Sequence, residues 1–383
     1  MKNKGRKIFL IVIAILSAVV AIAVLGQIVR ERKRGYSSDR TIPLLLGYEE
    51  GAYYINEDGV PVRTEDDEWN EYLVDAGSQF YEISEVSVTF SSQYRHQVLW
   101  LDKELQVLRE QEVRGGEHVF PIMDKAEYLL IPAQKDEIFS VNGRLTAAGA
   151  EEKGQKEKDA EAFSGKYLSV LGDSLSACSF YIPGNYYPHY PKGDVDIRQM
   201  WWYLLADSLD MNVCKINACA SSGVTRLTWD GLTGDEAGSA GRGTDLDMLG
   251  HIPDVILVWI GGNDMAAGAD KSQVAEDYRK MVMDILDTYP KAEIYLCTYY
   301  PCYLNSVDPE GFLNGEIRKI AEEFQLSIIE MEECGITLEN QTEYLQDVSP
   351  ETDNLGMHPN QAGFSLIADC IVRQMTEYSR QEN

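Results

Sequence analysis

A serine lies at the end of a short apolar segment, where a turn would expose its hydroxyl group. The apolar residues of 167–172 predict a buried strand, and the chain turns directly afterwards at Asp173 and Ser174. In open α/β sheets, ligands bind at the edge formed by the carboxyl ends of the strands. Serine is a poor nucleophile until a base takes its proton, so a catalytic role for Ser174 would also require a histidine.

The chain contains five histidines, which differ in how well they suit the role of that base. His96 and His118 lie in a β-rich front region, where we expect ordinary strand residues. His189 lies in a loop shortly after the serine, and His251 precedes a strand at its amino end. His358 comes just before the last predicted helix, from which it could reach the carboxyl edge, and it is our candidate base. The alternative is that it only caps that helix.

Strand and helix patterns alternate from residue 166 onward. The predicted strands are 167–172, 212–217, 254–260, 293–299 and 326–330, and the predicted helices are 197–210, 271–288, 313–325 and 361–378. This alternation predicts a parallel sheet with right-handed crossovers. The segment Val255–Ile260 is apolar throughout, as expected of a strand covered on both faces.

Four short motifs follow one another in this region: Gly172–Ser174, Ser222-Gly223, Gly261–Asp264 and His358–Asn360. Together, in this order, they resemble the motif blocks of the GDSL, or SGNH, hydrolases over residues 166–378. The resemblance implies a flavodoxin-like three-layer α/β fold with a five-stranded parallel sheet. It also implies a serine hydrolase that acts on carboxylic ester bonds without a metal or an organic cofactor.

The same resemblance assigns roles to individual residues. Ser174 attacks the substrate and His358 transfers the proton. The backbone N–H groups of Ser174 and Gly223 and the side-chain amide of Asn263 stabilise the oxyanion. The alternative for Gly223 is that it only allows the chain to turn, and the alternative for Asn263 is that its side chain only forms an Asx turn.

The third member of a triad is the point at which the sequence departs from the family pattern. The family usually places an aspartate three residues before the histidine, where this chain has Leu355. Asp353 is the nearest carboxylate, with Glu351 and Asp347 further away, and we predict that it orients His358. The alternative is a Ser–His dyad in which a backbone carbonyl orients the imidazole.

A tyrosine-rich, proline-stiffened loop, Phe180–Gly193, follows the nucleophile. Flat amphipathic rings suit stacking on sugars, whereas a groove for a long acyl chain would favour Leu, Ile and Met. We therefore assign Tyr181 and Tyr187 to one wall of a substrate site and Trp229 to the opposite wall. The substrate would be a small ester or an acylated carbohydrate. The alternative is that several of the tyrosines pack under the loop and order it.

The front of the chain predicts export. Residues 8–29 are almost wholly apolar, and about 20 such residues can cross a bilayer as one helix. We predict that residues 1–34 are a signal anchor, which would make this a single-pass cell-membrane protein with an extracellular catalytic domain. A cleaved signal peptide is the alternative, with a small-residue site at Ala21–Ala23, although the apolar run exceeds the usual h-region of about 7–15 residues.

Between the anchor and the hydrolase region, residues 41–146 show short β-like runs separated by turn signals. This spacing predicts an all-β sandwich, similar to the jelly-roll modules of bacterial surface hydrolases, that could bind carbohydrate. Residues 147–165 are charged and small, which predicts a linker that is partly helical. The hydrolase domain would then occupy residues 166–383.

Composition excludes several other classes of protein. The net charge is −28, and beyond residue 34 the chain carries 26 basic and 61 acidic residues, a net charge of −35. Such a surface repels phosphate backbones, so nucleic acid is not an expected partner. Seven cysteines without a C-x-x-C pair predict small buried side chains and no metal cluster, although Cys214–Cys219 or Cys297–Cys302 could form disulfides.

We therefore predict an extracytoplasmic serine esterase that removes small acyl groups of the acetyl type from carbohydrate. One alternative keeps the site and changes the acceptor, giving an acyltransferase that acts on a cell-surface glycan. A second alternative is a surface carbohydrate-binding protein with a catalytically degenerate hydrolase fold, an idea that depends on the displaced aspartate.

Overall fold

The structure is a computed structural model that describes residues 37–50, 52–55, 61–64, 68–77, 80–135, 137, 139–183, 186–225, 241–348 and 355–382. In these parts of the chain, every helix is too short or too polar to cross a bilayer. The predicted anchor, residues 1–34, lies outside them.

The front region is built from antiparallel strands. They are β1 (Ser37–Pro43), β2 (Leu46–Glu50), β3 (Ala52–Ile55), β4 (Pro61–Thr64), β5 (Trp69–Asp75), β6 (Ile83–Phe90), β7 (His96–Leu101), β8 (Val107–Val113), β9 (Gly116–Pro121), β10 (Tyr128–Gln134) and β11 (Phe139–Thr146). One sheet has the order β1-β11-β6-β9 and a second the order β2-β5-β10-β7-β8, while β3 pairs with β4. The prediction of a β-rich front region is therefore confirmed.

The two larger sheets enclose a common hydrophobic core. Val86 and Val88 of β6 and Leu129 and Ile131 of β10 are fully buried in it. Alternation along each strand explains this, because every second side chain points to the same face of a sheet. His96 is also fully buried, between Glu137 and a backbone carbonyl, as part of this front core.

A helix follows the last of these strands. Helix α1 (Ala147–Asp159) begins after Thr146, whose hydroxyl accepts the N–H of Gly149 at 3.1 Å, and it spans most of the segment predicted as a linker. Lys153 in this helix donates to Asp210 of the following region at 2.7 Å.

The remainder of the chain alternates strands and helices. The strands are β12 (Tyr167–Gly172), β13 (Asn212–Ala218), β14 (Val255–Trp259), β15 (Glu293–Cys297) and β16 (Ser327–Ile329). The helices are α2 (Trp201–Ser208), α3 (Gly262–Ala266), α4 (Lys271–Thr288), α5 (Leu304–Val307), α6 (Phe312–Phe324), α7 (Gln341–Tyr344) and α8 (Gln361–Glu382), with 3-10 turns at Ile197–Gln199, Arg242–Thr244 and Met331–Glu333. The strands form a parallel sheet in the order β13-β12-β14-β15-β16, which confirms the predicted five-stranded α/β sheet.

The register of this sheet aligns the strand ends that carry the motifs. Gly172, the last residue of β12, pairs with Ala218 of β13 and with Trp259 of β14. The turns that follow these three strands therefore emerge side by side at one edge. This alignment explains how motifs that are far apart in the sequence can meet.

Candidate active site

Three side chains form a continuous hydrogen-bonded line at this edge. The hydroxyl of Ser174 lies 2.9 Å from Nε2 of His358, and Nδ1 of the same ring lies 2.7 Å from Oδ2 of Asp347. Ser174 follows β12, Asp347 follows α7, and His358 precedes α8. The structure thus brings together the predicted serine and histidine.

The carboxylate in this line is Asp347, so the assignment of Asp353 is wrong. Nδ1 can carry one proton, and that proton is directed at Asp347. The second oxygen of Asp347 accepts the backbone N–H groups of Met357 at 2.8 Å and His358 at 3.0 Å. Asp353 itself lies outside the described residues.

The electrostatics of Asp347 determine which nitrogen of His358 is protonated. Burial raises the pKa of Asp347, but its hydrogen bonds and its proximity to His358 lower that pKa to about 2. An ionised carboxylate can only accept, so Nδ1 of His358 carries the proton. Nε2 is then free to accept the hydroxyl proton of Ser174, as a general base must.

The turn that presents Ser174 is held by a second buried carboxylate. Asp173 accepts the N–H of Leu175 at 3.1 Å and the hydroxyl of Tyr299 at 3.0 Å, and its burial raises its pKa to about 6. Tyr299 in turn accepts the N–H of Gly262 at 3.0 Å. This chain of contacts connects the turn after β12 to the start of α3, which carries Asn263.

Two tryptophans of α2 hold the same turn from the other side. The indole N–H of Trp201 donates to the carbonyl of Leu175, and that of Trp202 donates to the carbonyl of Ser176, both at 3.1 Å. Both rings are fully buried. The backbone around Ser174 is therefore fixed before substrate arrives.

Each of the three groups predicted to stabilise an oxyanion has an N–H bond that is available to a ligand. Within the described parts of the chain, the backbone N–H groups of Ser174 and Gly223 have no acceptor. The amide of Asn263 donates one of its two N–H bonds to the carbonyl of Ser222 at 2.8 Å, which leaves the other available. These are the three donor groups expected from the sequence.

Asp264, the last residue of the third motif, shapes the loop that contains Gly223. Its carboxylate accepts the N–H of Val224 at 2.6 Å and both the N–H and the hydroxyl of Thr225. A side chain at 223 would place its Cβ 2.6 Å from Oδ2 of Asp264. Glycine is needed there because the carboxylate lies directly against the backbone.

Arg242 was not anticipated as part of this region, yet it connects two of the turns. Its guanidinium is 2% exposed and donates to the carbonyl of Gly172 at 2.6 Å, to Asn217 at 3.0 and 3.1 Å, and to the hydroxyl of Ser222 at 2.9 Å. Burial lowers the pKa of Arg242. The side chain therefore fixes the end of β12 relative to the segment that carries Gly223.

The three aromatic residues predicted to line the substrate site differ in where they lie. Tyr187 is 56% exposed, and its carbonyl accepts the N–H of Ala220, close to the oxyanion segment. The assignment of Tyr181 to the substrate is wrong, because this side chain is buried in the core with its ring 5.9 Å from that of Trp202. Trp229 lies outside the described residues.

The other residues considered as candidates lie elsewhere. His251 stacks on Tyr167 at the amino end of the parallel sheet, with ring centroids 4.5 Å apart. The seven cysteines all lie in described parts of the chain, where they are buried and form no disulfides, so neither of the two pairs considered above is joined. Burial raises the pKa of several of these thiols; that of Cys178, for example, is raised to about 12.

Sequence reasoning missed Asp347 as the carboxylate of the triad. It also missed Tyr299 and Arg242, which hold the turns around the site. Asp347 lies 11 residues before His358, and that separation differs from the family spacing. The signal available for Tyr299 was its position as the last residue of the strand predicted over 293–299. Arg242 offered only its place in a glycine-rich loop, which does not predict burial.

A parallel α/β sheet with an Asp–His–Ser line at its carboxyl edge defines a serine hydrolase. The sequence matches the GDSL-like Lipase/Acylhydrolase family over residues 170–366, which are 197 of its 383 residues. The chain therefore belongs to this family, and it is a serine hydrolase that acts on ester bonds.

Solved structures with a similar fold include hydrolases from several bacteria. A protein described as a GDSL-like lipase from Bacteroides ovatus is 21% identical, with a TM-score of 0.42, and the match covers 56% of this chain and 99% of that one. A family two carbohydrate esterase from Clostridium thermocellum, solved with cellohexaose, is 14% identical (TM-score 0.45; 88% and 99% covered). A family two carbohydrate esterase from Cellvibrio japonicus is 15% identical (TM-score 0.43; 89% and 98% covered). A comparison with curated proteins gave no match.

Proposed function

We propose that this protein is an exported serine esterase that removes small acyl groups, of the acetyl type, from carbohydrate. One observation carries the catalytic part of this proposal. It is the pair of hydrogen bonds made by His358, from Nδ1 to Oδ2 of Asp347 at 2.7 Å and between Nε2 and Oγ of Ser174 at 2.9 Å.

The reaction follows from the protonation state of this line. His358 takes the proton of Ser174 as Oγ attacks the carbonyl carbon of the ester, and the imidazolium that forms is stabilised by the ionised Asp347. His358 then gives this proton to the departing alcohol, which leaves an acyl group on Oγ. A water molecule, deprotonated by the same imidazole, attacks the acyl group and releases the carboxylic acid.

Negative charge develops on the carbonyl oxygen during both steps. We assign its stabilisation to the N–H groups of Ser174 and Gly223 and to the free N–H of Asn263. Removing one such donor from a serine hydrolase typically lowers kcat by about 10²–10³. The contacts of Asp264 and Arg242 support this assignment, because they hold the Gly223 segment in place without using its N–H.

Exposed tyrosines next to the catalytic segments support carbohydrate as the substrate. Tyr187 adjoins Ala220, and Tyr303, which is 37% exposed, donates its backbone N–H to the carbonyl of Gly356 at 2.8 Å. Tyrosine rings stack on the apolar faces of sugars, and their hydroxyls can hydrogen-bond to the same ligand.

The alternative of a degenerate hydrolase fold depended on a missing carboxylate. Asp347 occupies the position next to His358 that this alternative assumed to be empty. We therefore favour an active enzyme over a binding protein that only displays the fold.

The catalytic part is tested on the full-length protein in detergent with an activated acetate ester. We expect Ser174→Ala to abolish turnover. Ser176→Ala is the matched control and should retain turnover, since that buried hydroxyl has no hydrogen-bond partner among the described residues. Equal rates for Ser174→Ala and the unmodified protein would refute the proposal.

The substrate is tested by comparing acyl chain lengths and acceptors. We expect acetyl esters of xylan or glucan to be better substrates than esters of longer fatty acids. A preference for long-chain esters would contradict the carbohydrate proposal. Release of an acylated glycan instead of free acetate would identify an acyltransferase.

We propose membrane anchoring with the catalytic domain outside the cell. The apolar segment 8–29 and its basic flanks support this location. We expect the protein to require detergent for release from membranes and to be digested by protease added to intact cells. Loss of the N-terminal segment from the mature protein, seen by mass spectrometry, would instead indicate a cleaved signal peptide.

A further inference from the structure

A second imidazole lies against the catalytic one. The rings of His189 and His358 are stacked, with their centroids 3.7 Å apart and their planes 11° from parallel. His189 lies 169 residues earlier in the chain, in the tyrosine-rich loop, and the mechanism above gives it no role. Its Nε2 is buried and has no hydrogen-bond partner in the described parts of the chain.

The backbone around His189 is tied to the segments that carry the catalytic residues. The N–H groups of His189 and Tyr190 both donate to the carbonyl of Ala177, at 3.0 and 2.9 Å, three residues after the nucleophile. The hydroxyl of Tyr190 donates to the carbonyl of Pro359 at 3.0 Å, next to His358. These contacts hold the His189 ring in place relative to both partners of the proton transfer.

Packing on the face of His358 adds a restraint that its edge contacts supply only weakly. The bond to Cβ and the two hydrogen bonds, to Asp347 and Ser174, all lie at the edge of the ring, and hydrogen bonds tolerate some tilting of the ring plane. A flat ring packed on one face opposes that tilting. Catalytic side chains depend on this kind of support, because small errors in orientation are costly.

We propose that His189 is a positioning residue, which stacks on His358 and holds its imidazole in the plane that serves Asp347 and Ser174 together. This inference rests on the proposed function, since it assumes that His358 transfers the proton. It assigns no contact with substrate to His189.

The charge state of His189 fits this role. Burial, followed by the charges of His358 and Lys192, lowers the pKa of His189 to about 3, against a smaller opposing effect of Asp347. The ring is therefore neutral under working conditions. A neutral aromatic face is compatible with the positive charge that His358 acquires during the reaction, whereas a second imidazolium would repel it.

The test compares His189→Ala with His189→Phe in the full-length protein, using the activated acetate ester. Alanine removes the stacked face, and we expect kcat to fall by about 10- to 100-fold with KM unchanged. Phenylalanine restores a flat ring without nitrogen atoms, and we expect it to recover most of the lost kcat. His251→Ala is the matched control, because it also removes a stacked histidine, but at the opposite edge of the sheet.

Proton NMR gives a second reading, taken together with the dispersed amide resonances that show each variant to be folded. The low-field resonance of the Nδ1 proton between His358 and Asp347 should broaden or shift in His189→Ala and return in His189→Phe. The resonance should be unchanged in His251→Ala.

Several outcomes would overturn the inference. Wild-type kcat in His189→Ala would do so, and so would an equal loss in His189→Ala and His189→Phe, which would indicate that the nitrogen atoms matter and stacking does not. These results differ from a failure of the proposed function, in which Ser174→Ala would retain the full rate.

Discussion

Replacing Asp347 by asparagine tests which carboxylate completes the triad. The carboxylate accepts the Nδ1 proton of His358 at 2.7 Å through one oxygen and two backbone N–H groups through the other. Asparagine keeps one acceptor oxygen, which the two N–H groups already engage, and so it turns its NH₂ group towards Nδ1. The imidazole would then carry its proton on Nε2 and could no longer accept one from Ser174.

The expected loss follows from this change of tautomer. The same substitution in a serine protease lowers kcat by about 10⁴, and a tenfold change in rate corresponds to about 1.4 kcal/mol of activation free energy. We therefore expect Asp347→Asn to cost about 5.5 kcal/mol of transition-state stabilisation. Because the pKa of Asp347 is about 2, this carboxylate is ionised at neutral pH, where the rates are compared.

Initial rates on the activated acetate ester measure this loss, and Asp353→Asn provides the comparison. That variant should keep the wild-type rate, since Asp347 already accepts the hydrogen bond from Nδ1 of His358. The reasoning would be refuted if Asp347→Asn kept a tenth or more of the rate, or if Asp353→Asn lost as much as Asp347→Asn.

Three further changes test the supports of the site. Gly223→Ala should lower kcat by about tenfold or more, because a Cβ there would lie 2.6 Å from Asp264. Gly315→Ala is the control and should keep the wild-type rate, because its Cβ would meet nothing within 4 Å beyond its own helix. Burial raises the pKa of Asp173 from 3.8 to about 6, so the folded protein keeps a proton that the unfolded chain releases. The free energy of unfolding should therefore fall by up to about 3 kcal/mol as the pH rises from 4 to 6, and urea denaturation of Asp173→Asn should lack that fall. Arg242→Met leaves buried oxygens without donors, so urea denaturation should show that the free energy of unfolding falls by at least about 3 kcal/mol. An unchanged free energy of unfolding would contradict the structural role of Arg242.

Local sequence patterns were sufficient for the elements that carry the site. The apolar run of 167–172 and the periodicity of 271–288 predicted β12 and α4 with the bounds that the structure has. The strand predicted over 293–299 was too long, because β15 ends at Cys297 and Tyr299 turns inward to Asp173. An apolar run in the sequence indicates burial. Buried residues of a turn are as apolar as those of a strand, so the pattern does not show where the strand ends.

The front region was predicted less completely. Strand β5 (Trp69–Asp75) does not show a clear strand pattern, because it contains Asn70, Glu71 and Asp75, polar residues that are nonetheless buried. A polar side chain in a core needs partners that come from other strands. A pattern read along one strand cannot reveal them.

Sequence alone determined which residues could act as nucleophile and base, since the chain offers Ser174 at a strand end and few histidines. Only the tertiary structure decided that Asp347 orients His358 and that His189 stacks on it. The physical reason is the range of the interactions. Strand and helix patterns arise between neighbours in the chain, whereas the direction of a carboxylate or the plane of a ring depends on loops whose conformation is set by distant contacts.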